Sequence, residues 1–416
     1  MRRGVARTGP GAAAAPVLRR LAGCAPSASR RSAACLAIAA ALAGCATTSS
    51  SSSVAVKGST LTIYASVPSQ TSSQPAAQDI LDAEQLALRQ NGTTVGDFKV
   101  QLVPLDDSKL SNNARTAIQD TTTIAYLGEL DPGSSADSIP ITNDQDILQV
   151  SPNDTALQYT QPSPAVPAAP KEYYGEAYSS YGYTFARVVP SSALEAQAQV
   201  QEMQALHVNK LYVASDGSEY GASLAYAVRT DAARVLTVAQ GPATASAVKS
   251  SGADAMFFAS ESPALAAQLF NATAATAPGV KLLGPSALDN AAFSSALSGA
   301  AQSEAYVSAP GFLPADLPPA GKTFVSDFKA NYGHLPAERA IFGYEAMAAV
   351  LAVLHAAGTS ASNRSIIVHD FRTITNRSSV LGTYSIRGGD TTLGAFVFSH
   401  VKAGALVPFR FVQVQE

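Results

Sequence analysis

Apolar runs of four or five residues recur along this chain, each stopped by Gly, Pro or a cluster of hydroxyl and acidic residues. Runs of that length with such boundaries predict buried strands. Between them, apolar residues repeat every three or four positions, the period of a helix with one buried face. In the first half the pattern predicts a strand over 61–65 and a helix over 76–90, with Ile80, Ala83, Leu86 and Ala87 on one face. A strand over 98–104 follows, then a helix closing over 116–122. Residues 124–127 and 147–150 predict two further strands around a helix over 135–143, one strand–helix–strand unit of a parallel sheet. Residues 163–170, rich in Pro and Ala, predict an exposed loop, and 183–187 an extended segment.

From residue 192 the alternation is regular. Ser192-Ala193-Leu194-Glu195 has the spacing of a capping box opening a helix to 207. Strands are predicted at 210–214, 235–239, 255–259, 280–283 and 305–308, with helices starting near Glu219, Ala243, Pro263 and Leu288. Short loops between such units predict a doubly wound parallel sheet. Two more helices, 321–332 and 336–357, and three terminal strands, 382–386, 393–399 and 407–412, complete the pattern.

The first 44 residues follow a different pattern. They hold seven Arg and no Lys, Asp or Glu, and a small apolar run over 33–42 ends in Leu42-Ala43-Gly44-Cys45. A basic region, a short apolar core and small residues predict a secretory signal, too short to span a membrane as a mature helix. The tetrapeptide resembles the bacterial lipobox, which implies lipid on Cys45. The run of Thr and Ser after it predicts a flexible tether over 45–57. Without its seven Arg, the formal charge of −3 becomes −10, which argues against nucleic acid as a partner. Of the three cysteines, Cys24 and Cys35 fall in this region and Cys45 is the residue expected to carry lipid, so the folded part is expected to hold no disulfide and no cysteine metal site. No later apolar run is expected to reach the roughly 20 residues of a membrane helix.

Chemistry is expected at the strand ends. Ser134-Ser135 opens a predicted helix and Ser151-Pro152-Asn153-Asp154-Thr155 leaves the next strand, so hydroxyls and free amides meet at one carboxyl edge, where open α/β sheets bind ligands. A Ser pair at a helix start either caps its own helix or holds an anionic group. The five histidines are scattered without metal-ligand spacing, so no metal and no cofactor is expected. Ser246-Ala247-Val248-Lys249 matches the S-x-x-K of serine acylases but lacks the K-T-G partner, because Phe324 follows Lys322-Thr323. No catalytic constellation emerges.

In order and spacing, the Ser134-Ser135 start, Ser151-Pro152…Thr155 and Tyr183-Thr184-Phe185-Ala186-Arg187 carry a resemblance, continued by Asp216…Glu219-Tyr220-Gly221, Gly284-Pro285, Tyr332-Gly333…Pro336, Gly343-Tyr344-Glu345-Ala346-Met347 and Gly389-Asp390. Over about 61–412 the chain resembles the extracellular solute-binding proteins of ABC transporters, in the branched-chain amino acid group with the type I periplasmic-binding fold. The resemblance implies two doubly wound parallel-sheet lobes joined by a three-crossing hinge, the crossings near Arg187, Pro310 and Gly382. It divides the chain into 58–187 with 310–382, and 188–309 with 383–416. It implies no enzyme activity, a small-molecule ligand and permease subunits as partners. Residues matching Ser134 or Ser135 and Thr155 hold a ligand carboxylate in that group, and an aromatic ring matches Tyr220. An acidic side chain that holds the ligand ammonium falls at Ser286 here, with Glu261 and Asp289 as neighbouring carboxylates. The expected function is lipid-anchored capture of a small polar or carboxylate-bearing solute. The alternatives are a sensor using the same cleft without transport, and an exported hydrolase using Ser246 and Lys249.

Overall fold

The protein is described by a computed structural model covering residues 55–67 and 74–415. The signal-like segment, Cys45 and most of the Ser/Thr tether lie outside the described residues. The first sheet takes β1 (Thr60–Ser66), β2 (Thr94–Val95), β3 (Phe98–Leu105), β4 (Thr123–Leu127), β5 (Leu148–Ser151) and β6 (Phe185–Arg187) in the order β2-β3-β1-β4-β5-β6. All pairs are parallel except the β2–β3 edge. The second sheet begins with β7 (Lys210–Ser215), β8 (Thr237–Gln240), β9 (Ala255–Ala259), β10 (Lys281–Gly284) and β11 (Ala305–Pro310). Two short hairpins intervene, β12 (Arg377–Ser379) with β13 (Gly382–Tyr384), and β14 (Ile386–Arg387) with β15 (Asp390–Thr391). Then β16 (Leu393–Lys402) and β17 (Ala405–Gln415) add antiparallel to β11, giving β17-β16-β11-β10-β9-β7-β8.

Each sheet is a doubly wound parallel core with antiparallel additions at its edge. The apolar runs explain the placement. All five residues of β4 (Thr-Ile-Ala-Tyr-Leu) and all five of β9 (Ala-Met-Phe-Phe-Ala) are buried, as strands covered by helices on both faces must be. The helix Ala340–Ala357 is the core element of the first lobe and corrects one expectation. It is apolar and long enough to cross a membrane by composition alone, yet it is buried over most of its length and packs on the helix Gln74–Asn91. Gly343 sets that contact: a Cβ there would sit 2.7 Å from the carbonyl oxygen of Ile80. Only glycine lets the two helix backbones approach so closely.

Local chemistry moves several boundaries. The helix Leu110–Gln119 stops before 122, because the Asp120 carboxylate accepts hydrogen bonds from the amide and hydroxyl of Thr122 (2.8 and 2.7 Å) and turns the chain. The helix expected over 135–143 is in two pieces, a 3₁₀ turn Ser134–Asp137 and a helix Ile139–Asn143. Pro140, at the start of the second piece, has no N–H with which to continue the first. β8 begins at Thr237, not 235, because Ala232 still holds the amides of Val235 and Leu236 by its carbonyl. Val380, Leu381, Tyr384 and Ile386 pack in the core of the first sheet, and the Arg187 amide donates to Gly389. The chain thus stays with the first sheet beyond Gly382.

A candidate binding cleft at the facing strand ends

The carboxyl ends of β4 and β5 face those of β7, β9 and β10, and the loops that leave them meet. Gly133 turns with φ +91°, and a Cβ on it would lie 3.0 Å from Glu261 Oε2 and 3.7 Å from Tyr220 Cβ. Hydrogen bonds cross the same seam. Tyr173 Oη donates to Glu219 Oε2 (2.6 Å), and the Ser192 amide donates to the Thr155 carbonyl (2.6 Å). Arg339 donates to the Ser286 carbonyl and pairs with Asp289, both at 3.0 Å, and reaches Asn153 Oδ1 at 3.3 Å. This arginine, just before the helix Ala340–Ala357, ties three loops together, and nothing in its local sequence singles it out. A cavity of about 260 Å³ adjoins the seam, lined among others by Leu130, Asn153, Arg339, Asp289, Ser399 and Pro408.

The structure brings Ser134, Ser135, Thr155, Tyr220 and Ser286 to this seam, with Glu261 at its exposed rim. Most of their polar atoms are already engaged. Ser134 Oγ donates to the Asp131 carbonyl (2.5 Å), and Ser135 Oγ accepts from the Glu129 amide (3.3 Å). The Ser135 amide donates to Asp154 Oδ2 (2.8 Å), while Asp154 Oδ1 accepts from the amides of Gly133 (2.8 Å) and Ala156 (3.0 Å). Asp154 is fully buried, and burial pushes its carboxyl up while Arg187 and the three amides pull it down. Four buried hydroxyls among the described residues have no hydrogen-bond partner within bonding geometry, those of Ser191, Ser223, Thr155 and Tyr220, and the last two, Thr155 Oγ1 and Tyr220 Oη, are at the seam. They lie near one another, and Tyr220 is pushed well above its usual range by burial and then by the charge of Glu195.

Glu195 is the residue that sequence reasoning misplaced. The helix Ser192–Ala205 is capped from Ser191, without a side-chain cap, so the expected capping box does not form. Ser192 Oγ instead accepts from the Leu157 amide (3.0 Å). The Glu195 carboxylate accepts from the Ser286 amide (2.6 Å), the Ser286 hydroxyl (3.0 Å) and Ser308 Oγ (2.6 Å). The chain therefore holds a buried carboxylate beside Ser286, delivered from a helix and not from the loop. Asp289 faces Arg339 instead. Ser246 and Lys249 lie exposed on the outer helix Ala245–Ser251, away from the seam. No group of three His, Cys, Asp or Glu residues suited to a metal ion occurs among the described residues.

Behind the seam, Glu129 is fully buried and accepts from Tyr126 Oη (2.6 Å). Burial raises its carboxyl from 4.5 to about 7, against hydrogen bonds from Ser66, Tyr126 and Ser138 that lower it. A carboxyl raised on folding stabilises the fold fully below its unfolded value, and that contribution is lost as pH rises through the folded value. Stability is therefore expected to fall between about pH 4.5 and pH 7, by up to roughly 3 kcal/mol from this group. In urea unfolding at pH 5 and pH 8, Glu129→Gln should lose that part of the slope; an unchanged slope would remove Glu129 as its source.

The profile described as periplasmic binding protein matches residues 60–404, most of the chain. The chain belongs to this family. Family members bind solutes in type I folds of two parallel-dominated sheets, and they are not enzymes. A search of curated proteins finds no match. Among solved structures, the fold is similar to the leucine-binding protein LivK of Thermotoga maritima, with TM-score 0.68, 20% identity, and 85% of this chain and 98% of that one covered. It is also similar to the solute-binding protein of an ABC transporter from R. palustris solved with benzoate, with TM-score 0.62, 17% identity, and 86% and 98% covered. A third is LivJ of Streptococcus pneumoniae, solved with isoleucine, with TM-score 0.64, 14% identity, and 86% and 100% covered. At these identities the likeness concerns the fold of this family.

Proposed function

We propose that this protein is a lipid-anchored extracytoplasmic receptor that captures a small polar solute between its two lobes and delivers it to an ABC permease. The observation that carries the reading is the pair of buried, unpartnered hydroxyls, Thr155 Oγ1 and Tyr220 Oη, where the strand ends of the two sheets face each other. A buried hydroxyl without a partner costs about 1–3 kcal/mol. A solute that bonds to both offsets that cost only when the lobes are closed, so binding selects the closed state. Ser134, Ser135, Ser286 and the rim residue Glu261 complete the lining. The similar structures solved with isoleucine and with benzoate, and the similar leucine-binding protein, suggest solutes of that size.

The test is a thermal-shift screen of the purified protein against amino acids, amides, amines, small acids and sugars. A ligand at 100 times its dissociation constant adds roughly 2.7 kcal/mol, a shift that such a screen resolves. No response from any class would refute the reading. The anchor is tested separately: Cys45→Ser should leave the protein unprocessed by the lipoprotein peptidase and free of the membrane fraction. Membrane association that survives this change would dismiss lipid on Cys45.

A further inference from the structure

The amides best placed to receive a ligand carboxylate on the first lobe, those of Gly133 and Ser135, are both held by the side chain of Asp154 at 2.8 Å. The Ala156 amide supplies a third donor at 3.0 Å. Both carboxylate oxygens act only as acceptors, which is the bonding pattern of an ionised carboxylate. The backbone carbonyl of the same residue receives Arg187 Nη1 at 3.0 Å, and the guanidinium's charge favours the ionised Asp154 carboxylate while its Nε pairs with Asp390. Toward the seam, the neighbouring charges are negative apart from Arg339. Glu261 lies at the rim with no cationic partner among the described ion pairs, and its carboxyl is raised by burial and then by Asp216, Asp154 and Glu219. Asp131 is half-buried between Asp154 and Arg339. Arg339 is itself engaged by Asp289. The partnerless hydroxyls of Thr155 and Tyr220, both buried, mark the same place as one that a ligand's polar group completes.

Resting on the solute-binding reading above, we propose that Asp154 is a built-in carboxylate that takes the place of a ligand's own, so that the cleft selects small cationic solutes over carboxylates. A free carboxylate brought to this seam finds its two amide donors taken and meets a like charge a few ångströms away, which is costly where water is excluded. An ammonium finds Asp154 and Glu261 as counter-charges, and Thr155 Oγ1 and Tyr220 Oη as acceptors. One residue thus inverts the charge that the seam accepts while leaving the fold of the family intact.

Benzylamine and benzoate carry nearly the same ring with opposite charge, so their ratio of affinities reads the inversion directly. Calorimetry on the unaltered protein should give benzylamine at least a tenfold advantage. Asp154→Ala frees the two amides and removes the charge; benzoate should gain at least tenfold and the preference should reverse. Asp154→Asn keeps the side-chain volume and an acceptor oxygen, and it should lose the amine preference without gaining benzoate affinity; it also serves if the alanine variant does not fold. A parent protein that prefers benzoate, or variants whose ratio equals that of the parent, would overturn the proposal. So would a protein that ignores both probes while responding to another solute in the screen, which leaves the binding reading standing. Silence to the entire screen would overturn the binding reading itself.

Discussion

Arg187→Ala should lower the melting temperature by roughly 10 °C, the equivalent of several kcal/mol for a domain of this size. Arg187 is fully buried, and its Nε lies 2.8 Å from Asp390 Oδ1. Its two terminal nitrogens donate to the Asp154 carbonyl and to Thr160 Oγ1, both at 3.0 Å. Removing the guanidinium leaves Asp390 buried with only Thr160 and Gln161 as donors. An uncompensated buried charge of this kind costs about 3–5 kcal/mol, far more than the net worth of the intact pair. The same argument predicts recovery: Arg187→Met combined with Asp390→Leu should melt closer to the parent than either single change. A single Arg187→Ala variant that melts within 2 or 3 °C of the parent (roughly 1 kcal/mol) would show that water or a neighbour repairs the loss.

The second large effect is on affinity and runs opposite to its effect on stability. Thr155→Val with Tyr220→Phe removes two neighbouring buried hydroxyls that make no hydrogen bond of good geometry within the fold. Each is worth about 0.5–1.5 kcal/mol to a neutral ligand group and more to an ammonium, so the double variant should bind its solute at least about 5-fold more weakly. Folding loses nothing by the change, because two unsatisfied buried groups disappear with it; the melting temperature should hold or rise. Affinity measured by calorimetry and stability by thermal melting separate this from a structural role. Equal affinity in parent and variant would assign both hydroxyls to packing.

The fold was legible wherever the signal was local. The fully apolar Ala-Met-Phe-Phe-Ala run of β9 can satisfy itself only as a covered strand, and its bounds follow from the sequence alone. The breaks at Asp120 and Pro140 also rest on local chemistry, and both were there to be read. The site was less legible because its decisive bonds are long-range. Glu195 has the spacing of a helix cap, yet its partners Ser286 and Ser308 stand 91 and 113 residues away. Asp154 reaches back 19 residues to Ser135 and 21 to Gly133. A loop aspartate that folds onto earlier amides has no periodic signature. The Ser134-Ser135 pair was correctly placed at a strand end, but whether its amides face a solute or the protein's own carboxylate is decided by tertiary structure.

The order of strands in the two sheets also governs how the molecule can be made. The first sheet cannot complete its core until the helix Ala340–Ala357 arrives to cover the helix Gln74–Asn91, and its last strand waits for Asp390 to neutralise Arg187. The second sheet waits for β16 and β17, the final strands of the chain. Neither half can close around its core before these distant segments reach it, since both cores are completed by residues far along the sequence from the strands they cover. Contacts this distant in sequence form slowly and leave apolar surface open meanwhile. The topology therefore leaves each sheet open along one edge or face until its late-coming strands or helix are available, so the two cores close late in folding.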